Sequence, residues 1–255
     1  MHIMTTSSKH KQAAPRQRTP QRRADSEVTR KRILDCAEEL FANAGVHATS
    51  IRDIANLAEC QFALVGYHFG TKSELLDYVI TRRSEVLNRE RMERLEALRA
   101  RNAGQPISVR DLIETFVRAI MERTDEGDEG WRNYTRLIAT LASNAEWNDL
   151  TDKHFNTVAR QYLGEMQRSL PEISNERLHQ AFFFMIGAML TVCARPDRIE
   201  TLSNGRFDSR AVATLIESLC TFLEGGFGAI SSIKNPSVNS NSGKRKKSVN
   251  SRVKT

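Results

Sequence analysis

Between residues 26 and 230 apolar side chains recur at three- and four-residue spacing, and no stretch alternates with the period of two that a half-buried strand requires. The pattern predicts an all-α protein. Ile33, Leu34, Ala37, Leu40 and Phe41 line one face of a first helix, which Gly45 ends. Ser50 and Asp53 form a capping box for a short second helix carrying Ile51, Ile54, Ala55 and Leu57. A third helix runs from about Gln61 to Phe69, with Ala63, Val65 and Phe69 as its expected buried side. Gly70 stops it, and Thr71 with Glu74 opens a long helix through Leu75, Leu76, Val79, Ile80, Val86 and Leu87 to about Arg101. Further apolar stripes predict helices around 108–120, 131–141, 150–166, 175–194 and 208–224. The total is about nine helices: three short ones in a compact N-terminal group, then a bundle of longer ones.

A helix, a short helix, a turn of about four residues and another short helix is helix-turn-helix geometry, here spanning about Ser50 to Phe69. In such a unit the last helix lies in the major groove of DNA. Gln61, Phe62, Gly66, Tyr67 and His68 are the candidates for its outer face. Glutamine can read adenine through two hydrogen bonds, and an exposed aromatic ring can touch a thymine methyl. Thr49, Ser50 and Arg52, at the start of the second helix, are placed to hold a phosphate. Lys72 sits in the first turn of its helix, where a positive charge opposes the macrodipole by ~0.3–1 kcal/mol. A DNA phosphate bound there would reverse that sign, so Lys72 is expected to pair with the DNA backbone.

Charge divides the chain further. Residues 1–25 are net +5 and 231–255 net +7, which leaves the interior at −5 although the whole chain is +7. Both ends are rich in polar residues and read as unfolded basic tails, either solubilising or drawn to nucleic acid. The predicted helix-turn-helix domain, 26–82, is not itself basic: six Lys/Arg stand against eight Asp/Glu. The remaining chain, 83–230, forms the second domain. Its longest apolar run, AFFFMIGAMLTVCA (181–194), is shorter than the roughly 20 residues that cross a bilayer, so no membrane association is expected. Cys36, Cys60, Cys193 and Cys220 match no metal or redox spacing and read as reduced thiols of a cytoplasmic protein. No Ser-His-Asp order, HExxH, CxxC, P-loop or glycine-rich dinucleotide loop appears, so neither enzyme activity nor a cofactor or metal is expected.

The segment from Thr29 to Leu76 resembles the helix-turn-helix of the TetR family. The likeness rests on ILDCAEELFANAG, HATSIRDIANLAE and YHFGTKSELL, with Gly45, Thr49, Ile51, Ile54, Ala55, Ala58, Tyr67, His68, Phe69, Lys72 and Leu75 at matching positions. Two features depart from it: Glu59-Cys60-Gln61 stands where the family usually has Gly-Val-Ser, and Gly66 where a tyrosine is common. The resemblance implies a homodimeric, ligand-responsive transcription regulator, a repressor acting on a palindromic operator in the bacterial cytoplasm and nucleoid. It also implies that 83–230 binds an effector and forms the dimer. The stretch GWRNYTRLIATLASNAEW (130–147) resembles the PsrA-like branch of the family, which answers fatty acids. This implies an amphipathic or acyl-type effector.

Phe116, Trp131, Tyr134, Phe155, Phe183 and Met185 can supply an apolar pocket wall, and Arg136 or Arg132 can meet a carboxylate. The same stripe is more often simply a helical core, and composition does not separate the two. The dimer has its own signal. Phe182, Phe183, Phe184, Met185 and Met189, then Leu215, Ile216, Leu219, Phe222 and Leu223, are more apolar surface than one helix face buries. The other function open at this point is a helical protein-interaction module whose helix-turn-helix does not bind DNA.

Overall fold

The computed structural model describes residues 20–126, 128–194, 197–207 and 212–233. The expected tails therefore lie outside the described residues, apart from 20–25 and 231–233. Among the described residues there are ten α-helices, one short 3-10 turn and no strand.

Helix α1 spans Pro20–Ala44, α2 Ile51–Leu57, α3 Phe62–Phe69 and α4 Lys72–Asn102. Helix α1 starts inside the segment expected to be an unfolded tail. Proline is at home in a first helical turn, and adding turns to an existing helix needs no new nucleus. The bundle follows as α5 (Val109–Glu126), α6 (Glu129–Ala142), α7 (Asn148–Ser169), α8 (Asn175–Ala194), α9 (Arg198–Leu202) and α10 (Val212–Ser231). Helix α9, with no buried residue, escapes a periodicity count because five residues are too few to establish a repeat. The expected first residues of the last helix, 208–211, are not described.

The punctuation works as the sequence indicates. Ser50 and Asp53 cap α2 reciprocally, and Thr71 and Glu74 do the same for α4. Gly45 and Gly70 take positive φ, +86° and +72°, and a side chain on Gly70 would collide with the Glu74 carboxylate. Glu59, where the family usually has glycine, is forced to φ +48°.

Helix α4 is the spine. Its 31 residues run about 46 Å at 1.5 Å each and pack in turn on α3, α1, α6, α7 and α5. It passes through the expected domain boundary at 82/83 without a break. Helix α1 lies along α6 as well as α4, so the N-terminal group is seated on the bundle over two helices. Buried Glu38, 1% exposed, fixes that seat by accepting from Arg82 at 2.8 Å and from Arg83 at 3.1 and 2.9 Å.

Helices α8 and α10 pack on each other, α8 also on α6 and α10 on α5. Both are 20 residues long and apolar enough, by length and composition, to cross a membrane. Helix α8 is longer than the 14-residue apolar run, because it continues N-terminally through NERLHQ, and a core helix of a bundle meets the same length and composition. In the fold Phe182, Met185, Met189, Leu219 and Leu223 are buried in the bundle, whereas Phe183, Phe184 and Phe222 are 58–73% exposed.

Candidate nucleic-acid interface and ligand cavity

The turn between α2 and α3 takes four residues, 58–61. Ile54, Ala55, Ala58, Val65 and Phe69 join the core under Leu75, Leu76 and Val79, which fixes the outward face of α3. On that face Phe62 is 56% and Tyr67 61% exposed, with Gln61 and Gly66 also at the surface. Ala63, expected on the buried side, is exposed instead. Tyr67 meets half-buried His68 edge to face at 5.2 Å between centroids, and the exposed Arg52 guanidinium lies 6.0 Å from the Phe62 ring. Gln61 precedes α3 without a side-chain bond to its first turn. A rigid short helix thus presents an amide, two aromatic rings and a glycine flat, with an arginine and Ser50 beside it.

Two expected phosphate ligands point elsewhere. Thr49 is buried, and its hydroxyl donates to Gly45 O at 2.8 Å and lies 3.2 Å from Leu40 O. Lys72 Nζ donates to Val46 O at 2.9 Å and Thr49 O at 3.1 Å, with His47 O at 3.5 Å. Unpaired carbonyls lie in the loop after α1, and the ammonium, set in a helix N-terminus that disfavours it, turns to them. The lysine therefore ties the start of α4 to the loop before α2.

A cavity of about 790 Å³ opens between α4, α5, α6, α7 and α8. Of the expected pocket residues, Phe116, Phe155, Phe183 and Arg136 line it. Trp131, Tyr134 and Met185 do not: they are core side chains, 7%, 0% and 0% exposed. Tyr134 and Trp131 pack edge to face at 5.7 Å, and Arg83 and Arg123 sit over the Trp131 ring. Arg136 borders the cavity but is held by Asn133, by Glu129 at 3.2 Å and by Asn43 at 3.4 Å. Arg132 pairs with Glu129 at 2.8 Å.

The residue missed by sequence reasoning is Arg91. It lines the cavity from α4, is 4% exposed and stacks 3.7 Å over the Phe116 ring. Its Nε donates to Phe116 O at 3.2 Å, and one Nη reaches Met189 Sδ at 3.8 Å. Burial pulls its pKa down to about 10, still well above neutral.

The family profile described as bacterial regulatory proteins, tetR family, matches residues 33–79. The profile described as tetracyclin repressor-like, C-terminal domain, matches 114–226. The chain belongs to the TetR family. Over 62 residues it is 45% identical to the HTH-type transcriptional repressor Rv3405c of Mycobacterium tuberculosis (strain ATCC 25618 / H37Rv), a match covering 23% of this chain and 33% of that protein. The HTH-type transcriptional regulator Mb3439c of Mycobacterium bovis matches over the same share. The chain thus aligns with only about a third of these relatives' length. Its fold resembles the ketosteroid transcriptional regulator KstR2 of Mycobacterium tuberculosis, with TM-score 0.54 and 16% identity over 77% of this chain and 93% of that one. A TetR-like transcriptional regulator from Rhodococcus sp. RHA1 gives TM-score 0.50 and 21% identity over 78% and 97%.

Two histidines of this TetR-family chain find carboxylates that their spacing conceals. His47 Nε2 lies 2.8 Å from Glu146, and His154 Nε2 lies 2.7 Å from Asp77 Oδ1. Ser84 Oγ sits 3.2 Å from His154 Nδ1, which completes a Ser-His-Asp chain of hydrogen bonds. Ser84 is 1% exposed and is not among the residues that line this cavity. The chain of bonds fastens α4 to α7. Burial raises the Asp77 carboxyl's pKa, but hydrogen bonds from Lys153 and His154 outweigh it and hold the group below its ordinary value. The four cysteines are free thiols, and burial pushes Cys193 to about 12 and Cys220 to about 11. Among the described residues no group of three or more His, Cys, Asp or Glu is placed to hold a metal.

Proposed function

We propose that this chain is a sequence-specific, DNA-binding transcription regulator: a homodimeric repressor released from a palindromic operator by a small amphipathic or acyl-type ligand. The observation that carries the reading is the outward face of α3, where Gln61, Phe62, Gly66 and Tyr67 stand clear of a fixed helix within a TetR-type N-terminal domain. Arg52 and Ser50 flank it, and His68 supports Tyr67. In this reading 26–82 binds DNA, and 83–230 holds the ligand and the dimer. The basic tails 1–25 and 231–255 add nonspecific affinity. Such a protein acts in the cytoplasm, on the nucleoid, without cofactor or catalysis.

The exposed apolar strip of α8 and α10, with Phe183, Phe184 and Phe222, is the surface a second copy covers. Twofold symmetry then sets two α3 helices about 34–36 Å apart, on successive major grooves. A ligand held better by one setting of the bundle shifts the population away from the DNA-binding setting. The coupling needed is ~1–3 kcal/mol. Helix α4 carries it, because it begins at Lys72 beside α3 and reaches Arg91 in the cavity some 28 Å further along.

Selection of bound sequences from a random duplex pool tests the reading. A palindromic consensus is the expected outcome. No enrichment from a folded dimer would contradict it and favour the interaction module.

A further inference from the structure

The cavity lining contains two cations, Arg91 and Arg136. Arg136 already has Glu129, Asn133 and Asn43 as partners at the edge of the site. Arg91 is buried among Leu87, Phe116, Ile120 and Met189, and its recorded bonds go to neutral atoms: one carbonyl oxygen, one thioether sulfur and a ring face. Among the described residues no carboxylate pairs with it. Elsewhere on the same helix Arg82, Arg83, Arg94, Arg99 and Arg101 each reach one. A guanidinium has five N–H donors, so donors remain for a partner. An enclosed charge without a counter-ion is unfavourable, and a planar fork suits a carboxylate.

We propose that Arg91 is the anion-binding group of this cavity and that the cavity takes a small organic monocarboxylate with an apolar body. The proposal rests on the reading of the cavity as the effector site. Arg136 is charge-matched by Glu129 whereas Arg91 has no carboxylate, and one uncompensated cation matches a single negative charge. Asp152, also in the lining, works against a dianion. The walls contributed by Leu87, Phe116, Ile120 and Phe155 match an alkyl or aryl body.

The test is calorimetric binding to the full chain, without DNA, of dodecanoate and 2-naphthoate, each against its alcohol, dodecan-1-ol and 2-naphthalenemethanol. At least one acid is expected to bind the wild type about tenfold or more tighter than its alcohol. That preference falls close to one in Arg91→Met and takes an intermediate value in Arg91→Lys, which keeps the charge without the fork. Equal binding of acid and alcohol by the wild type, no binding of any of the four, or a preference kept in Arg91→Met overturns the assignment. Should Arg91→Met fail to fold, the wild-type preference and Arg91→Lys decide. Because DNA is absent, the outcome is separate from the regulator reading. Acid bound through Arg91 with operator affinity unchanged would leave this site standing and remove the ligand response.

Discussion

Lys72 shows what a residue's type conceals. A lysine in a helix N-terminus next to a DNA-reading unit invites a phosphate, yet its ammonium is directed to Val46 O and Thr49 O. No local pattern announces those carbonyls, which lie 23 to 26 positions away. Lys72→Met keeps the alkyl stem and removes the bonds. It should cost ~1–3 kcal/mol in denaturant unfolding and weaken operator binding by loosening the loop before α2. The salt dependence of that binding should stay as in the wild type. A slope shallower by about one unit would put the ammonium on a phosphate and contradict the clamp. The outward face of α3 was legible, because Val65 and Phe69 fix the buried side by spacing alone. Ala63 was not: a methyl group is too small a signal to choose a face.

At the scale of elements, α4 shows both what periodicity reveals and what it hides. Its core side runs Ile80, Ser84, Leu87, Arg91, Leu95 and Leu98 at three- and four-residue steps. An arginine on that stripe is the available signal for the cavity cation. It is hidden within RERMERLEALRAR, where alternating charges read as a solvated surface. Trp131 and Tyr134 illustrate the converse limit, since an aromatic stripe looks the same whether it lines a cavity or fills a core. The join between α4 and α7 is likewise a contact across 77 positions, Asp77 to His154. It makes a pH prediction. The folded Asp77 carboxyl lies below its ordinary 3.8, so its stabilisation is fully present above that value and is lost as pH falls through the folded pKa. Denaturant midpoints of wild type and Asp77→Asn should therefore differ at pH 7 and converge below pH ~4. A gap that stays constant down to acid pH would show that Asp77 does not titrate in this way.

For the whole molecule, the all-α architecture and the helix-turn-helix were readable because caps and apolar stripes act within a few residues of each other. The cavity and the mutual packing of α8 and α10 were not readable, because both depend on which faces of distant helices meet. The apolar excess of those two helices was visible, and the structure leaves part of it at the surface as Phe183, Phe184 and Phe222. Covered by a second copy, that surface would hold two α3 helices in one rigid frame, so that each half of a palindromic site meets the same face. The most direct measurement is titration of the selected palindromic duplex with wild type and with Gln61→Ala/Tyr67→Ala. Both side chains are exposed, so the variant should melt with the wild type, within about 0.5 kcal/mol. It should lose about 1–3 kcal/mol of operator affinity per base contact. Equal affinity of the two proteins for that duplex would contradict the account, because the outward face of α3 would then not be the surface that reads DNA.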